Sequence, residues 1–248
     1  FREGVSWNHV TSIEHFAARY LPSDMLFETA APSIFFEDND MLMWVIGYLN
    51  TIVSEKILKL INPTMCTNVG DITIQPLLYG NDKLKKAGID LVKSNIESSK
   101  QEWDSYEISW NFKAHPLIRK TFLITEAFKQ WKKECEDRFN QLKLNEEKLN
   151  RIFINIYGLQ NELTSEVEDK DITVRKADLS RDIRSFVSYA VACMFGRYSL
   201  NKEGLVYAGG DFEKYYKKEE EVLADVDGNT IIMSDGAALI TGEHYGKI

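Results

Sequence analysis

The sequence predicts an α+β protein, with a small region of mixed strands and helices, then a helical bundle, then a short tail with little regular structure. Residues 1–36 contain short apolar stretches with recurring aromatics, separated by small residues and prolines, which is typical of short strands and turns. Residues 82–200 contain apolar residues at intervals of three and four, which is typical of amphipathic helices. We therefore predict three parts, residues 1–81, 82–200 and 201–248.

The first part is expected to contain one long helix and three strands. The helix runs from about Met41 to Ile61, because the cluster Asp38-Asn39-Asp40 can cap its start and Pro63 disfavours helix at the residue before it. The first ten residues of this helix are apolar on almost every side, so that end is expected to be buried. The strands are expected at 16–20, 25–27 and 72–74.

The second part is expected to begin after a hinge at Gly80-Asn81-Asp82 with an amphipathic helix. A second helix starts near Lys120 and carries a coiled-coil-like apolar seam. That helix either ends near residue 144 and restarts or continues to residue 157, where Gly158 suits a helix end. The seam residues are Ile124, Phe128, Trp131, Cys135, Phe139 and Leu142.

The most regular segment, residues 180–200, predicts a core helix that packs against the seam. Ser180 or Asp178 can cap its start, and Gly196 suits its end. Seven apolar side chains recur with helical spacing and are expected to share one buried face. They are Ile183, Phe186, Val187, Ala190, Val191, Met194 and Phe195.

The tail, residues 201–248, is expected to contain two short strands and one exposed charged segment. The strands are expected at 205–207 and 230–233, and the charge run at 217–221 is expected to be the solvated face of a helix.

The charge balance argues against a general grip on nucleic acid. The formal net charge is −8, and residues 1–80 carry 4 Lys and Arg against 9 Asp and Glu. Residues 81–200 carry 21 basic against 19 acidic residues, and residues 201–248 carry 5 against 10. Because phosphate binding depends on Lys and Arg, any contact with a polyanion is expected to be local or to use the middle of the chain.

Three further patterns bound the cellular setting. The chain begins at Phe1 without a signal-peptide pattern, so we interpret it as an excised or processed fragment. No run of about 18 apolar residues occurs, so no membrane span is expected. The three cysteines, Cys66, Cys135 and Cys193, are far apart in sequence, which indicates buried thiols in a reducing cytoplasm.

The sequence contains no catalytic, cofactor-binding or metal-binding motif. Glycine-rich phosphate loops, nucleophile elbows and zinc or calcium motifs are missing, and the four histidines lack ligand spacing. Residues 62–65, Asn-Pro-Thr-Met, partly match the Asn-Pro-Pro-aromatic motif of amino-methyltransferases, but the second proline and the aromatic are replaced. We interpret them as a helix stop followed by a turn.

Four groups of segments nevertheless resemble a known family. The segments are GVSW at 4–7, FAARYLP at 16–22 and FETAAPSIFF at 27–36; IGYLNT at 46–51, LINPT at 60–64 and VGDI at 69–72; WDSYEISWNF at 103–112 and HPL at 115–117; LNEEKLNRIFINIYGL at 144–159 and SYAVACMFGRYSL at 188–200. A chain with these segments resembles a C-terminal fragment of the BREX phage-defence adenine-specific DNA methyltransferases, the PglX family. These proteins are relatives of the type IIG restriction-modification methylases.

The resemblance implies what surrounds this fragment and what it does. A methyltransferase domain that binds S-adenosylmethionine would precede Phe1, so no cofactor is expected in the fragment itself. Residues 1–81 would belong to a target-recognition region and residues 82–200 to a helical spacer that braces it. The implied partners are double-stranded DNA, bound through the full-length parent, and other phage-defence subunits; no membrane is involved.

Recognition loops vary with their target, so the resemblance does not identify the DNA contacts. Polar and basic groups near the predicted strands are the candidates for contacts with DNA bases. Lysines after the hinge are the candidates for contacts with phosphates. The base candidates are Asn8, His9, Thr11, Ser12 and Arg19, and the phosphate candidates are Lys83, Lys85 and Lys86. The leading hypothesis is thus a non-catalytic DNA-recognition and scaffold fragment. The alternative is an acidic helical module that binds other defence subunits rather than DNA.

Overall fold

The computed structural model describes residues 2–11, 15–121 and 123–207, and the backbone of four strands between residues 216 and 240. The described part combines α-helices with two antiparallel sheets, so the predicted α+β class is confirmed. The chain divides into two compact units. The first consists of residues 1–99 and 140–173, and the second of residues 100–139 and 174–248.

The first sheet lies at the start of the chain. Its strands are β1 (Gly4–Trp7), β2 (Ala18–Leu21) and β3 (Ser33–Phe35). Both outer strands pair antiparallel with the central β1, and Val5 lies opposite Tyr20 on one side and Ile34 on the other. Val5 and Trp7 are buried, which places one face of the sheet in the core and leaves the alternate residues outward.

Six α-helices follow in the described residues. They are α1 (Asn39–Leu49), α2 (Ile52–Ile61), α3 (Val69–Thr73), α4 (Asp82–Trp103), α5 (Ile124–Tyr157) and α6 (Leu179–Met194). A 3₁₀ turn, Asp169–Asp171, precedes α6. The second sheet has the order β4 (Tyr216–Glu219), β5 (Val222–Asp225), β6 (Thr230–Ser234), β7 (Ala237–Ile240) and is antiparallel throughout.

The core of the first unit is built around α1, which has eight buried residues among its eleven. The Trp44 ring lies 4.6 Å from the Phe153 ring, centroid to centroid, and Tyr48 lies 5.5 Å from Phe153. The sheet packs on the same helix. The prediction that the start of the 41–61 segment is buried is confirmed, because α1 is enclosed by the sheet and by the C-terminal half of α5.

The second unit has two apolar clusters on α6. In one, Phe186 packs with Trp131 and Cys135 of α5. In the other, Tyr189 stacks on Tyr198 with ring centroids 5.2 Å apart. The predicted contact between the 180–200 helix and the seam is therefore confirmed within this unit.

The ends of the long helices agree with the sequence. The Asp178 carboxylate, and not Ser180, caps α6 by accepting from the N–H of Arg181 (2.7 Å). Gly196 follows α6 with φ of +72° and Gly158 follows α5 with φ of +70°. Glycine occupies this left-handed region without the steric cost that other residues meet. The helix that starts near residue 120 continues without a break to Tyr157.

The predicted single buried face of α6 is only partly correct. Phe186 is buried, but Val187, Val191 and Phe195 are 55%, 45% and 60% exposed. The inward line instead includes Asp182 and the aromatic and thiol side chains at 189 and 193. The apolar residues of α6 cover more than half of its circumference, so their periodicity alone did not determine which of them face inward.

Several other predicted elements are wrong in the structure. The 41–61 segment is two helices bent by 74° at residues 50–51, where the Thr51 hydroxyl caps α2. Residues 72–74 end the short helix α3 instead of forming a strand, and residues 25–27 form no strand. The strand expected at 16–20 is confirmed with bounds Ala18–Leu21.

Predictions for the tail have mixed outcomes. The strand expected at 230–233 is confirmed as β6. Residues 205–207 form no strand, and residues 217–219 belong to a strand and not to a helix. The last two residues of that predicted charged face, 220 and 221, lie outside the described residues.

Hydrophobic length and thiol placement were also predicted. No single helix in the described part has the length and composition to cross a membrane, whereas the bent pair α1 and α2 has both when taken together. All three cysteines are free. Cys135 and Cys193 are buried as predicted, and burial raises the pKa of each thiol to about 11, whereas Cys66 is only half-buried.

Candidate nucleic-acid interface

The segment after β1 pairs with the segment after α2. The N–H of Thr67 donates to the carbonyl of His9 (2.7 Å), and the N–H of Thr11 donates to the carbonyl of Met65 (3.1 Å). Val10 forms an antiparallel bridge with the residue between these two partners. We refer to residues 8–11 and 64–68 together as the ribbon.

Trp7 anchors the ribbon to the core of the first unit. Its ring is 2% exposed, and its Nε1–H donates to the carbonyl of Thr67 (3.0 Å). On the opposite side, the N–H of His9 donates to the carbonyl of Ala30 (3.0 Å). The backbone of the ribbon is therefore held from both edges, while Val10 and Met65 are each 57% exposed.

A network of polar side chains shapes the loop from α2 to α3. The Asn62 Nδ2 group donates to the carbonyl of Cys66 (2.7 Å) and to Oδ2 of Asp71 (2.7 Å). The Asn62 Oδ1 atom accepts from the N–H of Thr64 (3.0 Å) and from its hydroxyl (2.6 Å). One asparagine thereby closes the turn that carries the second half of the ribbon.

Asp71 is the acceptor at the centre of this network. Its Oδ2 atom also accepts from the backbone N–H of Asn68 (2.8 Å) and from the Asn68 Nδ2 group (3.3 Å). The backbone hydrogen bond from Asn68, followed by that from Asn62, lowers the pKa of the Asp71 carboxyl. The carboxylate is therefore ionised at neutral pH and stabilises the first turn of α3.

The network reaches the candidate base-reading residues through His9. The His9 Nε2 atom lies 3.1 Å from Oδ1 of Asn68. His9 lies on one half of the ribbon and Asn68 on the other, and the pairing brings these two side chains into contact, while the neighbouring Asn8 is exposed. These side chains offer hydrogen-bond donors and acceptors on a fixed backbone, which base reading requires.

The remaining base candidates are placed differently. Asn8 is exposed, Thr11 is half-buried on the ribbon, and Ser12 lies outside the described residues. Arg19 is exposed on β2, opposite Ser6 of β1, on the face of the sheet that points away from the core. The structure therefore places Asn8, His9 and Thr11 on the same half of the ribbon, while Arg19 belongs to the outer face of the sheet.

The three candidate phosphate contacts lie on the first two turns of α4. Lys83 and Lys86 are exposed, and the ammonium group of Lys85 lies 5.8 Å from the centre of the Tyr79 ring. Lys85 and Lys86 line a shallow groove of about 310 Å³ with Lys93. Asp40, Asp82 and Asp90 line it as well, so its formal charge is balanced.

The interpretation of Asn62 as part of a helix stop followed by a turn is confirmed, whereas sequence reasoning missed Asn68 and Asp71. The signal for these two was present, because an asparagine followed three residues later by an acidic residue is a pattern of helix starts. The pairing of residues 65–67 with 9–11 had no such signal, since it joins segments more than 50 residues apart. Within the described residues, no group of three His, Cys, Asp or Glu side chains is arranged to hold a metal ion.

Comparison with known proteins identifies the family. No family model matches the chain. The adenine-specific methyltransferase PglX of Lacticaseibacillus casei (strain Zhang) is 43% identical over 219 residues, which are 86% of this chain. The adenine-specific methyltransferase BrxX of Escherichia coli O9:H4 (strain HS) is 31% identical over 228 residues, or 84% of this chain. The chain belongs to the PglX family.

Each alignment covers 18% of the PglX or BrxX relative. The chain therefore corresponds to one segment of a much longer PglX-family polypeptide. The predicted resemblance is confirmed, and it extends over most of the chain.

Proposed function

We propose that this chain is the DNA-recognition and scaffold portion of an S-adenosylmethionine-dependent adenine-N6 DNA methyltransferase that serves in cytoplasmic phage defence. The similarity to PglX and BrxX supports the parent activity. The observation that carries the recognition role is the ribbon, where Asn8, His9 and Asn68 present polar groups from a backbone anchored by the buried Trp7.

The methyl donor is proposed to bind elsewhere in the polypeptide. Cofactor sites of doubly wound α/β enzymes lie at the carboxyl ends of parallel strands. The described strands of this chain pair only antiparallel, so they do not form such a crevice. This chain would then supply target selection, while a separate methyltransferase domain supplies the flipped-base pocket and the transfer chemistry.

The functional division of the chain also remains a proposal. Residues 1–81 would carry recognition, residues 82–200 would brace it, and residues 201–248 would form a tail. The compact units group the residues in another way, because α4 and α5 each contribute to both units. A brace formed by two helices that also complete the core beneath the ribbon is consistent with a scaffold role.

The test uses the full-length protein in a bacterial host that lacks its own adenine methylation, together with the other components of its defence system. Modified adenines are mapped by sequencing the host DNA. Asn8→Ala and Arg19→Ala are expected to alter the methylated motif, with Asp24→Ala on an exposed turn as the matched control. An unchanged motif in both variants and in His9→Ala would contradict a recognition role.

Phosphate contact is tested by the salt dependence of DNA binding. Log affinity is expected to fall with log salt by about 0.9 for each phosphate contact. Reversing the charge of Lys83, Lys85 and Lys86 is expected to reduce that slope. Because acidic side chains line the same groove, an unchanged slope would assign phosphate binding to other residues and leave base recognition by the ribbon unaffected.

Binding to other defence subunits is the second candidate function. It is favoured by the excess of acidic over basic residues in the first 80, and by Trp110, which is 95% exposed in the second unit. An exposed tryptophan beside Ile108, itself 69% exposed, is a common feature of protein-binding surfaces. Loss of a partner from the purified complex in Trp110→Ala, with the motif unchanged, would support this function.

A further inference from the structure

His9, Asn68 and Asp71 form a relay of hydrogen bonds in the ribbon. The distances are 3.1 Å between His9 Nε2 and Asn68 Oδ1, and 3.3 Å between Asn68 Nδ2 and Asp71 Oδ2. Both Asn68 and Asp71 also belong to the start of α3, so the relay is attached to a helix. Because the groups are linked by hydrogen bonds, the ionised state of Asp71 determines which nitrogen of His9 carries the proton.

The first step is the orientation of the Asn68 amide. An ionised carboxylate can only accept hydrogen bonds, so the atom of Asn68 that faces Asp71 must be the donor Nδ2. The Asp71 carboxylate is kept ionised by the backbone N–H of Asn68 and the side chain of Asn62. The carbonyl oxygen of the Asn68 amide is therefore turned towards His9.

The second step is the tautomer of His9. Because Oδ1 of Asn68 can only accept, the Nε2 atom of His9 must carry the proton that it donates. In the neutral ring the other nitrogen, Nδ1, is then left with a lone pair. Nδ1 makes no hydrogen bond to any part of the chain that the structure describes, and the ring is half-exposed.

We propose that Nδ1 of His9 accepts a hydrogen bond from the exocyclic amino group of an adenine or a cytosine in the DNA major groove. Asn68 and Asp71 are positioning residues that fix this acceptor. The inference rests on the proposed function and deepens it, because it assigns the chemical group that one ribbon side chain reads.

The choice of base follows from the pattern of groups in the groove. Adenine presents its N6 amino group and cytosine its N4 amino group, whereas guanine O6 and thymine O4 are acceptors. A fixed acceptor faces a donor favourably and another acceptor unfavourably. Without the relay, the proton of the neutral ring could lie on either nitrogen. Nδ1 could then act as a donor or as an acceptor, and the histidine would not distinguish the two classes of base.

The test measures binding of the full-length protein to duplexes that carry its methylation motif, once sequencing has defined that motif. In each duplex one amino group is moved or deleted, with 2-aminopurine in place of adenine or 2-pyrimidinone in place of cytosine. At one position this change is expected to weaken wild-type binding about 5- to 100-fold, the range of a good base contact. The His9→Ala variant is expected to be insensitive to it.

The relay is tested with Asp71. Asp71→Ala removes the acceptor, and we expect it to lose most of the sensitivity at the same base position. Asp71→Asn can place its amide oxygen where Oδ2 now lies, so it is expected to restore the wild-type preference. The double variant of His9→Ala and Asp71→Ala is expected to be no worse at that position than His9→Ala alone. If Asp71→Ala does not fold, Asn68→Ala replaces it.

The outcomes separate the two proposals. If His9→Ala abolishes sensitivity at one amino group while Asp71→Ala and Asn68→Ala both keep it, the relay is wrong and DNA recognition stands. If His9→Ala weakens binding but stays as sensitive as the wild type to every amino-group change, the acceptor assignment is wrong. If His9→Ala, Asn8→Ala and Arg19→Ala all bind and methylate like the wild type, the proposed recognition function itself fails.

Discussion

The side chain of Asn150 caps a helix that lies 98 residues earlier in the sequence. Its Oδ1 atom accepts from the backbone N–H of Ile52 (2.9 Å), the first residue of α2. Its Nδ2 group donates to the carbonyl of Ser165 (3.3 Å). Asn150 is 6% exposed, so these hydrogen bonds satisfy a buried amide and stabilise the bend between α1 and α2.

Asn150→Ala is expected to destabilise the first unit. The change removes the partner of the part-buried Ile52 N–H, and an unsatisfied buried donor typically costs about 1–3 kcal/mol. Urea unfolding of the 248-residue chain measures the loss. Asn155→Ala, on an exposed position of the same helix, is the control and is expected to change the free energy of unfolding by less than about 0.5 kcal/mol. Equal effects from the two substitutions would contradict a capping role.

Gly88 is required by its contact with Trp44. A Cβ atom at Gly88 would lie 2.7 Å from Cζ3 of Trp44, whose ring is 1% exposed and packs against Phe153. Alanine is intrinsically the better helix former, but the buried ring has no room to move. Gly88→Ala is therefore expected to lower the free energy of unfolding by about 1–3 kcal/mol.

Gly70 provides a matched control for this substitution. It also lies in a helix, α3, but a Cβ atom there would meet nothing within 4 Å. Gly70→Ala is expected to be neutral or to stabilise by up to about 1 kcal/mol, because alanine restricts the unfolded chain more than glycine does. Urea unfolding should show a loss of stability for Gly88→Ala but not for Gly70→Ala, and an equal loss in both would contradict the role of Trp44.

The elements that the sequence predicted well are those determined by neighbours along the chain. The cap at Asp178 and the glycine at 196 lie within a few residues of the helix ends that they specify. The seam of α5 is also a local pattern, and its residues from Trp131 to Leu142 are buried, whereas Ile124 is 40% exposed. The small sheet was partly predictable, since β2 is close to the expected 16–20 strand.

The failures come from contacts between distant segments and from competing local signals. The break in the 41–61 segment is stabilised in part by Asn150, which no local pattern indicates. Residues 72–74 have the β-branched composition of a strand, but the asparagine and aspartate at 68 and 71 start a helix there. At the candidate site, Asn8 and His9 were predicted as polar residues near the expected strands, whereas Asn68 was identified only through its hydrogen bond to His9.

The pH dependence of stability is expected to include a contribution from Glu146. Burial, and then the negative charge of Asp171, raise the pKa of this carboxyl to about 7. In the unfolded chain an ordinary glutamate has a pKa of about 4.3. Between these values the folded state binds more protons, so this group makes the protein less stable as pH rises from about 4.3 to 7.

Glu146→Gln is expected to remove that slope. Above pH 7 the variant should be more stable than the wild type by about 1–3 kcal/mol, because one pKa unit corresponds to about 1.4 kcal/mol. The measurement is the free energy of unfolding at pH 5 and pH 8, with Glu136→Gln, at an exposed position of α5, as the control. A variant that is no more stable than the wild type at pH 8 would contradict the raised pKa.

His115 contributes a pH dependence of the opposite sign. The ring is 4% exposed, packs 5.4 Å from the Phe186 ring, and its Nδ1 atom accepts from the N–H of Leu117 (3.2 Å). Burial lowers the pKa of His115 to about 4, against the opposing effect of the Asp182 charge. The unfolded histidine, with a pKa of about 6.5, binds a proton first, so stability is lost as pH falls from about 6.5 to 4.

His115→Asn is expected to remove this loss, because the asparagine Oδ1 atom can accept from Leu117 but does not titrate. The wild type should lose up to about 3 kcal/mol more than the variant between pH 7 and pH 4. The measurement is the free energy of unfolding of both proteins in urea at a series of pH values. Contributions from carboxyl groups that titrate in both proteins cancel in the difference between them. Parallel curves for wild type and His115→Asn would mean that His115 accepts a proton in the folded protein.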